Sequence, residues 1–113
     1  MTARNKLQSA PPYSVEQSLK SLGENLRTAR LRRNLTIEEV ASKIGTGPRA
    51  VMDAEKGKPS TGMVVYAALL WVYDLLGQLD QVADPSTDKE GLALEALKGR
   101  KRARKSAGLD NEF

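Results

Sequence analysis

Anion recognition is the chemistry this sequence is best supplied for. Residues 98–105 contain Lys98, Arg100, Lys101, Arg102, Arg104 and Lys105, six positive charges with no negative one among them. Across residues 1–97 basic and acidic side chains balance, so this run accounts for the net charge of +4. A basic run attracts polyanions such as nucleic acid. It also suits a solvated, solubilising tail, and composition alone does not separate the two. Catalytic chemistry is poorly supplied. There is no histidine, the commonest general acid/base and metal ligand, and no cysteine for a nucleophile, a disulfide or a thiolate zinc site. No spaced carboxylate pair, phosphate-cradling glycine loop or nucleophile elbow is present. The expectation is a binding protein with no catalytic residue, metal site or cofactor.

The elements that must position the binding groups are helices. The chain has 113 residues, the size of one domain. Its aromatic residues are only Tyr13, Tyr66, Trp71, Tyr73 and Phe113, so the core must be built from Leu, Val, Ile and Ala, which favours packed helices over a β-sandwich. The longest apolar run, residues 63–73, is too short to span a bilayer, which takes roughly 20 residues. With no apolar segment of signal type near the N-terminus, the expected location is cytoplasmic, away from any membrane.

Residues 1–13 lack periodicity and are expected to form a flexible arm. Ser14 is a candidate N-cap for a helix that carries Val15, Leu19, Leu22, Leu26, Ala29 and Leu31, bends or restarts at Gly23, and ends at Asn34. Thr36 and Glu39 have capping-box spacing at the start of a second helix, which stops at Gly45. Pro48 fits the first position of a third, ending at Gly57. Ser60 or Thr61 would cap a fourth, running to about Leu75. Gly77 punctuates the chain, Leu79 and Val82 suggest a short fifth helix, residues 85–87 read as a linker, and residues 88–105 as a last helix. The organisation expected is an arm over 1–13, a binding and dimerisation domain over 14–84, and an extension with a basic tail over 85–113.

Two short helices joined by the tight turn at Gly45, Thr46 and Gly47 have the pattern of a helix-turn-helix. Ala41 allows the helices to cross closely, while Ile44 and Val51 plug the corner. The second helix is then free to enter a major groove with its N-terminal residues leading. An ordinary helical corner within a bundle would share this pattern.

Residues 22–75 resemble the Xre/Cro-type helix-turn-helix family. The likeness is carried by the segment from Leu22 to Arg30, by the stretch Leu35-Thr36-Ile37-Glu38-Glu39-Val40-Ala41, and by Val51-Met52-Asp53-Ala54-Glu55-Lys56-Gly57-Lys58-Pro59-Ser60. The last stretch has one residue fewer before its proline than the family pattern. The resemblance implies an all-α fold: a compact, five-helix, lambda-repressor-like domain. It also implies a structural ion pair between Arg30 and Glu55, and phosphate contacts from Thr36, Lys43, Thr46, Lys56, Lys58 and Ser60. Base contacts are expected from Gly47, Pro48, Arg49, Ala50, Met52 and Asp53 at the start of the third helix. Arg49 suits guanine, Asp53 a cytosine amine or the orienting of Arg49, and Met52 and Ala50 a thymine methyl. This set departs from the family's habit of Gln, Ser, Thr and Asn, so few direct base contacts per subunit are expected.

So few readers per subunit call for two subunits on a palindromic operator. The helix at 63–73 is apolar nearly all round, which suits either a buried central helix or a homodimer interface through Val65, Leu69, Trp71, Val72, Leu76 and Leu79. Residues 75–85, the segment 90–95 and the basic end resemble HipB-like antitoxins. That resemblance implies an autorepressor of a type II toxin-antitoxin operon, with a HipA-like serine/threonine kinase toxin as partner. The other readings are a free-standing Xre-family regulator and an interaction module that has lost DNA binding.

Overall fold

A computed structural model describes residues 5–109. Every regular element among them is helical: α1 (Lys6–Ser9), α2 (Tyr13–Arg32), α3 (Ile37–Ile44), α4 (Pro48–Glu55), α5 (Met63–Val72) and α6 (Lys89–Leu109), with 3-10 helices at Leu76–Gln81 and Pro85–Thr87. The chain divides into two compact units, one ending at Leu79 and the other beginning at Asp80.

The first unit has a core of Leu26 and Ala29 from α2, Val40 and Ala41 from α3, Val51 and Ala54 from α4, and Tyr66, Leu69, Leu70 and Tyr73 from α5 and its end. Each fully buried Leu or Val there contributes about 2 kcal/mol through the apolar surface it removes from water.

Helix ends in this unit follow from local chemistry. Thr36 Oγ1 accepts from the Glu39 N–H at 3.0 Å while the Glu39 carboxylate accepts from the Thr36 N–H at 2.8 Å, the capping box expected from the sequence. Asn34, Gly57 and Asp74 all take the left-handed conformation just past α2, α4 and α5. At each, two carbonyls of the last turn are recovered: Leu35 N–H bonds to Arg30 O, Lys58 N–H to Asp53 O and Leu75 N–H to Leu70 O, with the preceding residue's N–H closing the inner bond.

Several sequence expectations require correction. The arm contains the single helical turn α1, capped by Asn5 accepting from the Leu7 N–H at 2.9 Å; residues 1–4 lie outside the described residues. Pro12 occupies the N-cap of α2, so Ser14 lies inside the helix. Gly23 neither bends nor restarts α2, because its role is tertiary, as described below. Gly62 caps α5 without a side-chain bond, in place of Ser60 or Thr61, and α5 stops at Val72 because Asp74 supplies the left-handed stop before Leu75. Gly77 sits within a 3-10 helix rather than ending one.

In the second unit Asp84 accepts from Ser86 N–H and Oγ, both at 2.9 Å, which turns the expected linker into a 3-10 helix. Asp88 accepts from the Gly91 N–H at 2.9 Å at the start of α6. The backbone of residues 98–105 continues α6, in keeping with the last helix expected over 88–105. The side chains of Lys101, Arg104 and Lys105 lie outside those described.

Candidate nucleic-acid interface

Helix α4 is seated on α2 by contacts that leave one face outward. Val51 and Ala54, three residues apart, point into the core. Behind them, α2 approaches so closely that a Cβ on Gly23 would lie 2.5 Å from the Glu55 carbonyl oxygen and 2.7 Å from that of Ala54. Gly57, at φ +69, meets the Leu19 carbonyl in the same way. Arg30 reaches from α2 to Glu55 at the end of α4, with Nε–Oε2 at 2.7 Å and Nη2–Oε1 at 3.0 Å, and its Nη1 donates to the Leu35 carbonyl at 2.9 Å. The pair is nearly dry, at 9% and 7% side-chain exposure. The hydrogen bond to Glu55 raises the guanidinium pKa against the opposing effect of burial. Such a fork fixes both distance and orientation.

The outward face follows from the inward one. Arg49, Asp53 and Lys56 recur at helical spacing opposite Val51 and Ala54. Arg49 and Lys56 are exposed, and Ala50, Met52 and Asp53 are half-buried. Gly47 and Pro48 are exposed at the start of the helix, where no side chain caps the backbone. Asp53 lies 3.4 Å from Lys58 Nζ and 3.9 Å from Arg49 Nε. The six expected base-contact residues therefore sit together on the first two turns of α4.

The expected phosphate contacts are more scattered. Thr36, Lys43, Thr46, Lys56, Lys58 and Ser60 are all exposed. Lys56, Lys58 and Ser60 follow α4 directly, whereas Thr36 and Lys43 mark the two ends of α3. The Thr36 hydroxyl already accepts from the Glu39 N–H within the capping box. Glu38 and Glu39 also place negative charge in that first turn. The Glu39 carboxyl is held below its ordinary pKa, first by the backbone N–H of Thr36 and then by its hydroxyl.

The expected dimer residues do not form one surface. Leu69 is 0% exposed and belongs to the core, so its place in an interface is withdrawn. Val65, Val72 and Leu79 are half-buried, and Leu76 is exposed. Trp71, at 60% exposure, shares an outward stripe with Val64 and Ala68 at i, i+4, i+7 spacing. Val64, Val65 and Ala68 also line a groove of about 220 Å³ with Ile44, Gly45 and Thr46.

Two positioning residues were not identified from the sequence. Tyr66 Oη donates to the Lys58 carbonyl at 3.5 Å, tying the loop after α4 to α5. Arg33 donates to the carbonyls of Ala29 at 3.0 Å and Tyr73 at 2.8 Å, and its guanidinium lies 5.5 Å from the centre of the Tyr73 ring. Neither carried a signal: Tyr66 lies in an unbroken apolar run, and Arg33 is one of several arginines near the end of α2. Among the described residues no group of three or more acidic side chains is arranged to hold a metal, and no helix is long and apolar enough to cross a membrane. No protein-family model, curated protein or solved structure matches the chain.

Proposed function

We propose that α3, the turn at Gly45, Thr46 and Gly47, and α4 act as a helix-turn-helix, and that the chain is a sequence-specific regulator of double-stranded DNA. The observation that carries this reading is the seating of α4. Its inner face is locked by Gly23, Gly57 and the Arg30–Glu55 fork, while Arg49, Met52, Asp53 and Lys56 face outward from a short helix with an uncapped N-terminus. A rigid recognition helix needs that division of labour. The stripe of exposed Val64 and Trp71 with half-buried Ala68 supports a homodimer, which would double the small set of readers.

The more specific reading is an antitoxin and autorepressor that holds a HipA-like kinase toxin. It rests on the resemblance of residues 75–85 and 90–95, and on Leu92, Leu94 and Leu97, which α6 leaves exposed as apolar surface for a protein partner. A free-standing regulator is the second reading. What supports it is that the seating of α4, the main support for the DNA reading, calls for no toxin.

Selection of bound duplexes from a random pool tests the DNA reading. Enrichment of a palindromic site, with affinity falling by about 0.9 log units per log unit of salt for each phosphate neutralised, is the expected result. Recovery of an unenriched pool with no salt dependence would overturn it. Purification of the tagged protein from its host separates the two finer readings: a stoichiometric kinase supports the antitoxin, and operator DNA without a kinase supports the free-standing regulator.

A further inference from the structure

Asp53 is the one acidic side chain on the outward face of α4, and it stands between two cations. Lys58 Nζ is 3.4 Å from its Oδ1 and Arg49 Nε is 3.9 Å from the same atom. The three differ in exposure: the side chains of Arg49 and Lys58 are 80% and 47% exposed, that of Asp53 only 25%. The carboxylate is thus the more enclosed member of the cluster, and the two cations reach it from more exposed positions. The backbone of Asp53 is fixed, because its carbonyl accepts from the Lys58 N–H at 3.1 Å in the turn that ends α4.

We propose that Asp53 is the specificity-determining residue of this face, and that it acts by withholding Arg49 and Lys58 from DNA that places no base amine opposite it. The inference rests on the DNA-binding reading above and deepens it. A carboxylate brought against a duplex meets phosphates and base acceptors that repel it, and only a cytosine or adenine amine satisfies it. Arg49 beside it carries the complementary donors, so together the two side chains present donors next to an acceptor. That is the inverse of the major-groove edge of a G·C pair, where guanine offers N7 and O6 and cytosine offers its amine. On such an edge Arg49 leaves Asp53 for guanine while Asp53 turns to the cytosine, and Lys58 is released to a phosphate. An A·T edge also carries one amine, but between its two acceptors, so a two-donor arginine and the carboxylate beside it are not satisfied together there; the carboxylate keeps its cations, and phosphate contacts are lost. Discrimination by an unfavourable group against the wrong partner is a general route to specificity. Exposed ion pairs of this kind are weak, so their exchange on a matching site is easy.

The test uses the full chain as wild type and Asp53→Asn, each also in an Arg49→Ala/Lys58→Ala background. The probes are a random-sequence duplex of roughly 30 base pairs, about three helical turns, the duplex enriched by the wild type, and heparin, a polyanion without base edges. Equal melting temperatures establish that the variants fold. Asp53→Asn is expected to raise random-duplex affinity about tenfold, to narrow the enriched-to-random ratio about as much, and to steepen the salt dependence by about one phosphate. It is also expected to elute later from heparin. In the doubly substituted background the gain should fall below about twofold. A gain of equal size in that background would overturn the proposal, since the effect would then be net charge alone. Loss of affinity at enriched cytosine positions without any gain on random duplex would also overturn it, leaving Asp53 a simple reader. Absence of wild-type enrichment would instead remove the DNA reading itself, and this proposal with it.

Discussion

Arg30 and Glu55, 25 residues apart in sequence, meet as a two-bonded fork at 2.7 and 3.0 Å under the end of α4. Removing one partner of a dry ion pair leaves the other charge buried and unpaired, which costs about 3 kcal/mol. Glu55→Ala is therefore expected to lower stability by about that amount in urea or thermal melts. It should also loosen α4, seen as faster hydrogen exchange in that helix than in α3. Melting at the wild-type temperature would show that the pair is hydrated and carries little energy.

Gly23 gives a prediction in which local and tertiary effects oppose. Alanine favours a helix over glycine by about 1 kcal/mol, so Gly23→Ala should raise the helicity of an isolated α2 peptide. In the folded protein the new Cβ would lie 2.5 Å from a backbone oxygen of α4, which cannot turn aside as a side-chain tip would. Net destabilisation of about 2 kcal/mol is expected. A more stable Gly23→Ala protein would show that α2 and α4 have room to separate.

The Thr36–Glu39 box ties the stability of α3 to pH. The Glu39 pKa in the folded protein lies below its ordinary value because the carboxylate accepts from Thr36. Its contribution is present above the unfolded pKa, about 4.3 for glutamate, and is lost as pH falls through the lower folded value. Glu39→Gln keeps an acceptor for the Thr36 N–H but does not titrate, so its melting temperature should fall less than that of the wild type between neutral pH and about pH 3. Thr36→Ala should cost about 1 kcal/mol at neutral pH.

Tyr73 is buried to 1% exposure, yet its hydroxyl has no hydrogen-bond partner among the described residues. An unsatisfied buried hydroxyl costs about 1 kcal/mol or more. Tyr73→Phe should therefore be neutral or stabilising by about 1 kcal/mol, because Arg33 keeps both the aromatic face and the backbone carbonyl it bonds. Burial, followed by the charge of Glu55, pushes the Tyr73 pKa up to about 12. A raised folded pKa means stability that is fully present below the unfolded value of about 10 and is lost as pH rises toward 12. The wild type should weaken across that alkaline window, and Tyr73→Phe should weaken less.

Much of this arrangement was legible in the sequence because it is local. The capping box, Pro48 opening α4 and the left-handed Asn34 and Gly57 depend on a few adjacent residues whose chemistry is fixed. What was not legible depends on partners distant in the chain. Gly23 reads as a helix breaker until the carbonyls of α4 lie against it, and Leu69 reads as either core or interface until α5 is docked with Trp71 outward and Leu69 inward. The strip of residues 63–73 has too little polar contrast to show which side is buried. The Arg49–Asp53 spacing was visible, but Lys58 joins that pair only because the turn at Gly57 folds the chain back on α4.

Arg49 carries the most direct test of which helix faces DNA. It is the most exposed member of its cluster and the only side chain on the first turn of α4 with more than one hydrogen-bond donor. A bidentate arginine contact to guanine discriminates against the wrong base by about 1–3 kcal/mol. Arg49→Ala should lose that preference at one position of each half-site while keeping its melting temperature, since the side chain supports nothing in the core. Lys56→Ala should instead weaken binding on every sequence about equally and reduce the salt slope by about one phosphate. If the two variants behaved alike, both side chains would lie on the phosphate backbone, and sequence would have to be read through the shape of the duplex.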